Sequence, residues 1–500
     1  MENKFMKGMT NHAHHTYTQN GQYAVNTTDS KLVDFFGSVG ALREASEDRI
    51  INLFEEAFTE NPELALKTVL YSRDVRGGLG ERRFFKVLLK HLGNTRPEII
   101  RPLLAYIPFY GRYDDLYALD ETAIEDDMYQ FMHLLFQRDI NDYMADRKSE
   151  ISLLAKWLKT ADSKTEETKR LGIKTALKFK MPVRSYKRWY RTLRKHLKVV
   201  EQSMTKNEWN NIVYSHVPSK AMLQYRAAFK NHSPERFSEW VQSVIDGKAK
   251  VNASTLYPYE LIEKLSKIDF DSMTIEFATM DDTELNLIRA QWDALPDYTG
   301  NGTQAIVMAD TSGSMWGRPL YVSISLAMYF AQRNRGAFHG KWISFSGSPT
   351  IHEIVDDQVD KIYKNFNQLD WGYNTDIEKA FRLILDIGVD NHVPAQDMPK
   401  SLIIISDMEF DAATKGKALY YDHVKEMFEE HGYACPNIVF WNVNSNHNVF
   451  HVNSDVKGVK LASGSSPSVF TTLMESLEST PYEYMMRTLS NIRYDPITIG

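Results

Sequence analysis

A short apolar run, Ala305 to Ala309, ends abruptly in Asp-Thr-Ser-Gly-Ser at 310–314. With no polar residue to face solvent, it reads as a strand buried on both sides, as in a parallel sheet. Arg318-Pro319 then opens a helix from Leu320 to about Arg333. A second run, Leu402 to Ile405, ends the same way at Ser406-Asp407. Between and beyond them the pattern alternates, with strands expected at 304–309, 340–345, 350–354, 401–406 and 437–443, and helices at 320–333, 375–387 and 415–431. Such alternation predicts a mostly parallel sheet with helices on both faces. Asp310, Ser312 and Ser314 then sit on a loop at the carboxyl end of a buried strand, where open α/β sheets bind ligands. Oxygen donors carrying few charges suit a hard dication such as Mg²⁺, which keeps waters or takes a partner's carboxylate.

Upstream, the period becomes helical. From about Asp48 to Leu265 apolar residues recur as in Ile50-Leu53-Phe54-Phe58, with breaks at Asn61-Pro62, Gly77 to Gly80, Gly93-Asn94 and Pro108 to Gly111. Many helices with short connections predict antiparallel pairs stacked as an α-solenoid or ring. The acidic stretch 266–303 reads as a connection carrying one helix from Asp282 to about Leu295. The expected organisation is a flexible tail over 1–30, a helical repeat domain over 31–300 and an α/β domain over 301–500. Its last part, 456–497, is expected to add an edge strand and a helix and then return to the helical half.

No apolar run reaches about 18 residues, so no membrane-spanning helix and no membrane partner are expected. The N-terminus lacks the apolar core of a secretory signal, and Cys435 is the only cysteine, which excludes an internal disulfide. A reducing cytoplasm follows as the expected location. The net charge of −6 is unevenly spread. Between Lys164 and Lys198 only Glu166 and Glu167 oppose a strongly basic run. Within it Tyr186, Trp189, Tyr190, Leu193, Leu197 and Val200 form one helical stripe, the expected core face. Lys187, Arg188, Arg191, Arg194 and Lys195 fall mostly on the other side, and Lys174, Lys178, Lys180 and Arg184 extend the charge. Charges of one sign repel one another unless an anion is bound, which makes these residues candidates for RNA contact. Arg76, Arg82 and Arg83 join them, from a glycine-rich loop suited to phosphate.

Two resemblances follow from these motifs. Asp-x-Ser-x-Ser at 310–314, Thr375 ahead of a helix, and Asp407 after the second buried strand resemble the metal-ion-dependent adhesion site of von Willebrand factor A domains. That resemblance implies one divalent ion held by Asp310, Ser312, Ser314, Thr375 and Asp407, with an open position for a protein partner's carboxylate. The segments 77–83, 111–116, 153–158, 186–197 and 217–221 resemble the TROVE module of the Ro autoantigen, nearest to a TROVE-like family of bacteria, phages and plants without an assigned function. This implies an all-α, HEAT-like helical repeat ring closed by a Rossmann-like α/β von Willebrand factor A domain. It also implies a monomeric ribonucleoprotein that binds small structured or single-stranded RNA.

The expected function is therefore an RNA-binding scaffold with a Mg²⁺-type adhesion site, and not an enzyme. A metal-dependent protein adaptor without RNA is the alternative. A metal-dependent nuclease is a weaker one, because such sites gather more carboxylates and often two ions.

Overall fold

The computed structural model describes residues 14–269, 274–300, 304–345, 348–366, 376–411, 420–475 and 478–499. Its first half is helical. In chain order the longer helices are α1 (Lys31–Ser38), α2 (Glu47–Glu60), α3 (Pro62–Arg73), α4 (Arg83–Thr95), α5 (Glu125–Met144), α6 (Glu166–Lys178), α7 (Val183–His196), α8 (Ser219–His232), α9 (Pro234–Ile245) and α10 (Pro258–Leu265). The breaks are capped as their residues dictate. Ser30 and Ser46 accept from the backbone N–H groups of Val33 and Arg49. Asn61 caps α3 by accepting from Leu64 N at 3.0 Å, and Pro62 opens that helix, where its missing N–H costs nothing.

After α10, strands β3 (Ser266–Asp269) and β4 (Thr274–Phe277) pair antiparallel, where the acidic connection had suggested only loop. Helix α11 (Asp282–Asp293) follows, capped by Asp281. The second half is a six-stranded sheet: β5 (Ala305–Asp310), β6 (Lys341–Phe345), β7 (Thr350–Glu353), β8 (Ser401–Ser406), β9 (Asn437–Asn442) and β10 (Val459–Ser463). The order is β10-β9-β8-β5-β6-β7, with all neighbours parallel except the β6–β7 pair. Every residue of β5 and of β8 is buried, as an apolar run in a covered sheet requires. Helix α12 (Arg318–Arg333) packs on β5, β6 and β8, α13 (Val359–Phe366) on α10 and α11, α14 (Ile377–Asp390) on β6 and α15 (Tyr420–Glu430) on α14. The chain order runs from β5 outward to β7 on one side and to β10 on the other, so the topological switch lies at β5 and β8.

The two halves share one apolar core, and a second, smaller one built on Tyr214, Phe229 and Phe237 lies beneath α8, α9 and α11. They meet at both ends of the helical half. Helix α10 packs on α12, and α1 packs on the edge strand β10. Backbones touch where Gly40 faces Gly464: a Cβ on Gly40 would stand 2.6 Å from the Gly464 main chain. Helix α16 (Pro481–Leu489) then returns to α1 and α3, as the reading of 456–497 anticipated. Beyond it Arg493 holds Asp74 through bonds of 2.7 and 2.8 Å, and Tyr494 donates to the same carboxylate.

The expected flexible tail needs correction over its described part. Strands β1 (His15–Tyr17) and β2 (Tyr23–Val25) form a hairpin docked on the sheet half. Gly21 bridges to Asp411 and Val25 to Phe450. The polar composition that suggested mobility instead supplies partners: Thr18 Oγ1 donates to Phe410 O at 2.6 Å, and Asn20 Nδ2 to Glu409 O at 2.6 Å.

Candidate functional site

Parallel pairing of β5 with β8 brings Ala309 beside Ile405, so the chain emerges from both strands at neighbouring points. Asp310 and Asp407 therefore converge, although nearly a hundred residues separate them in sequence. Asp310 is fully buried; its Oδ1 accepts from Ser312 N at 2.9 Å and its Oδ2 from Ser406 Oγ at 2.6 Å. Ser312 and Ser314 hydroxyls lie 3.3 Å apart. Asp407 is buried, with Oδ1 accepting from Glu409 N at 3.2 Å, while Oδ2 is buried without a hydrogen-bond partner among the described residues. Burial, with the neighbouring Asp407, pushes the Asp310 carboxyl well above the usual carboxylate range. Burial also raises Asp407, with Ser314 opposing and Glu409 adding to the rise. Two adjacent buried acids cannot both ionise cheaply unless a proton or a cation lies between them.

Four of the five expected metal donors are thus together: Asp310, Ser312, Ser314 and Asp407. Thr375 lies outside the described residues. Asp376 caps α14 by accepting from Lys379 N at 3.1 Å. Among the described residues no three His, Cys, Asp or Glu side chains gather for a metal, so an ion here would rest on two carboxylates and hydroxyls. That donor set fits a hard dication and not a soft one.

Glu409 is a residue whose setting the sequence does not disclose. It is buried, accepts from Gln19 N at 2.7 Å in the β1–β2 hairpin, and lies 3.3 Å from His447 Nδ1. The hairpin and the loop after β8 are therefore one structure.

The cationic helix is real but is not an unopposed field. Along α7, Tyr186, Tyr190 and Leu193 are buried, as their stripe predicts. Lys187 and Arg191 both pair with Asp162. On α6, Lys174 bonds Asp120 and Glu125 at 2.8 and 2.6 Å, and Lys178 bonds Glu125 and Asp126. Arg194 is a structural group: it donates to the Ala155 and Leu158 carbonyls at 2.7 and 2.6 Å, and burial lowers its pKa. The acids come from other helices and loops, which is why a count within 164–198 overlooked them. Lys180, Arg184, Arg188 and Lys195 are exposed, with Arg188 lying over the Trp189 ring. Arg76 reaches the Phe109 carbonyl at 3.2 Å.

A second cationic surface lies elsewhere, and most of its cations are also paired with acids. A cavity of about 1470 Å³ opens within the helical half, where the Leu79 carbonyl accepts from Tyr257 and joins the early helices to the late ones. Arg82 and Arg83, from the glycine-rich loop, line it. Arg43, Lys86, Lys90, Arg112, Lys156, Lys159, Arg170, Lys220 and Arg318 line it too. Apart from Arg170, which lies within the basic run 164–198, they are scattered along the sequence, so no local pattern brings them together. Glu47, Glu81, Glu121, Glu167, Glu201 and Glu260, with Asp120, are the lining acids, fewer than the cations. None of the α7 candidates faces this space.

Comparison with known proteins follows the same division. Residues 18–102 and 141–299 match the family model Domain of unknown function (DUF2828), and residues 304–491 match Domain of unknown function (DUF7788). A relative in Acanthamoeba polyphaga mimivirus, Uncharacterized protein L728, is 26% identical over 525 residues, spanning 97% of this chain and 89% of the relative. Among solved structures the chain is similar to the Ro (RSR) protein of Deinococcus radiodurans, with a TM-score of 0.32, 10% identity, and coverage of 91% of this chain and 95% of that one. That superposition is too loose to carry any residue's role across. The helical and sheet halves thus each match a family model of their own, and the chain as a whole is similar to a viral relative.

Proposed function

We propose that this chain is an RNA-binding scaffold of the Ro type, in which a ring of helices closed by a von Willebrand factor A-like domain carries single-stranded RNA in its cavity. One observation carries the reading: arginines and lysines from helices far apart in sequence line a single cavity of about 1470 Å³. Contact between the early and late helices, at Leu79 and Tyr257, supports closure of the ring. Phosphate neutralisation by such a lining supplies sequence-independent affinity, as a carrier of varied RNAs needs. The exposed cations of α7, Arg188 and Lys195, extend the surface outward for structured RNA.

In the same reading, Asp310, Ser312, Ser314 and Asp407 hold a divalent cation, most suitably Mg²⁺. Among the described residues Asp407 Oδ2 has no hydrogen-bond partner, which supports this, since a cation satisfies such a buried carboxylate oxygen. The bound ion would offer an open position to a partner's carboxylate. The residues' own task is to present oxygen donors at the sheet's switch point and to keep water from the buried carboxylates. The scaffold has no catalytic role in this reading.

Salt and charge reversal test it. Retention of single-stranded RNA on a filter is expected to fall steeply between low and physiological salt. Changing Arg83, Lys90 and Lys220 together to Glu should lower affinity by about a hundredfold or more. Unchanged retention by a folded triple variant would refute the carrier and leave the metal-dependent adaptor as the surviving reading.

A further inference from the structure

On one wall of the cavity, three cations converge on a single carboxylate. Asp114 Oδ2 is bound by Arg82 and lies 3.1 Å from Lys86 Nζ, and its Oδ1 is bound by Lys159. Beside it, Asp115 bonds Arg73 at 2.8 Å. Arg112 stands next to this group, its guanidinium 4.8 Å from the centre of the Trp157 ring.

The layering matters more than the count. Arg73, Arg82, Lys86, Arg112 and Lys159 all line the cavity, whereas Asp114 and Asp115 do not. The carboxylates are 4% and 0% exposed and lie behind the cations. Five positive groups therefore stand before two buried negative ones, and the surface turned to the cavity is cationic. The cations also oppose one another: burial lowers Lys86 and Arg112, and Arg82 adds to the lowering of both. Buried Asp114 is nonetheless held far below the usual carboxylate range, its bonds to Lys159 and Lys86 overcoming burial, so it is ionised and cannot supply further charge.

A phosphodiester brings one negative charge and two free oxygens. A phosphomonoester brings nearly two charges at neutral pH and three acceptor oxygens, a closer match to this excess of forked and single-point donors. Trp157, partly exposed, lines the adjoining wall and gives the attached nucleoside aromatic surface.

We propose that Arg82, Lys86, Arg112 and Lys159 form a subsite for a phosphomonoester. In an RNA carrier its natural occupant is the phosphate at one end of a strand; the proposal rests on the RNA reading only for that source. A free nucleoside monophosphate has the same chemistry.

The test compares one short single-stranded RNA bearing a 5′-phosphate, a 3′-phosphate or hydroxyls at both ends, by fluorescence polarisation on the full chain. Adenosine monophosphate and adenosine serve as competitors. One phosphorylated end is expected to bind about tenfold tighter than the hydroxyl-ended RNA, the size of an added charge-assisted hydrogen-bond set. The ratio should fall to near one in Lys86→Gln and in Arg112→Gln, and recover in Lys86→Arg. Melting curves check that the variants fold, and the competition on the unaltered chain needs no variant. If end groups make no difference but the monophosphate, and not adenosine, binds and depends on Lys86, the subsite stands with a free ligand as its source. If RNA binds with equal affinity whatever its ends and the monophosphate does not bind, the subsite is refuted while the carrier reading survives. If the monophosphate binds and no RNA does, the carrier reading fails and the subsite stands.

Discussion

The sheet half and the helical half each bury a carboxylate at the heart of a candidate site, with opposite electrostatics. Asp407 ends a strand beside a second acid, and one of its oxygens has no partner among the described residues. Asp114 lies behind the cavity wall with three cations on its two oxygens. Among the described residues the first arrangement has no cation on its carboxylates, and it suits a cation from solution. The second has cations to spare and suits an anion. Burial alone does not make a carboxylate structural or functional; what its free valence faces decides that.

The largest expected effect tests this contrast directly. Asp114→Asn should cost about 2–4 kcal/mol in chemical denaturation, less than for a fully buried pair because Arg82 is half exposed. Asp407→Asn, measured in EDTA, should cost less than about 1 kcal/mol, since it relieves the repulsion between two adjacent buried acids. Equal losses at both positions would erase the distinction.

Next in size is the response to metal and pH. Mg²⁺ should raise the melting temperature of the unaltered chain by several degrees, and Asp310→Ala should abolish the shift; an identical Mg²⁺ response would rule out this site. In EDTA the sign is set by folded pKa values raised above the unfolded ones. Stability from the protonated pair is then full below about pH 4 and is lost as pH rises to about 7. Asp310→Asn should flatten that slope, and a slope unchanged by the substitution would show that other groups set it.

The smallest effects separate two arginines of one helix. Arg194→Gln removes two bonds to the Ala155 and Leu158 carbonyls and should cost about 1–3 kcal/mol. Arg188→Gln, on the exposed face, should stay within about 0.5 kcal/mol. A larger loss at Arg188 would place that face in the protein's own packing and not in RNA contact.

Much of the sheet half was legible because its signals are local. A run with no polar residue, such as Ala305 to Ala309, reads as a covered strand, and the Asp directly after it lies at the carboxyl end of the sheet. The apolar stripe of α7 was legible for the same reason, since helical period decides which residues face inward. Its polar face was not legible. Whether Lys187 and Arg191 are free depends on Asp162, and whether Lys174 is free depends on Asp120 and Glu125. The hairpin at 15–25 was missed because polar residues that look solvated alone become partners once Glu409 and Phe410 stand opposite them.

By itself, then, the sequence determined the strands, the amphipathic faces and the acids at the strand ends, all set by side-chain periods of two and 3.6. Only the tertiary structure decided which charges cancel and which converge. Coulomb energy depends on distance in space, and Arg82, Lys86, Arg112 and Lys159 acquire a common purpose only where the helices bring them to one wall.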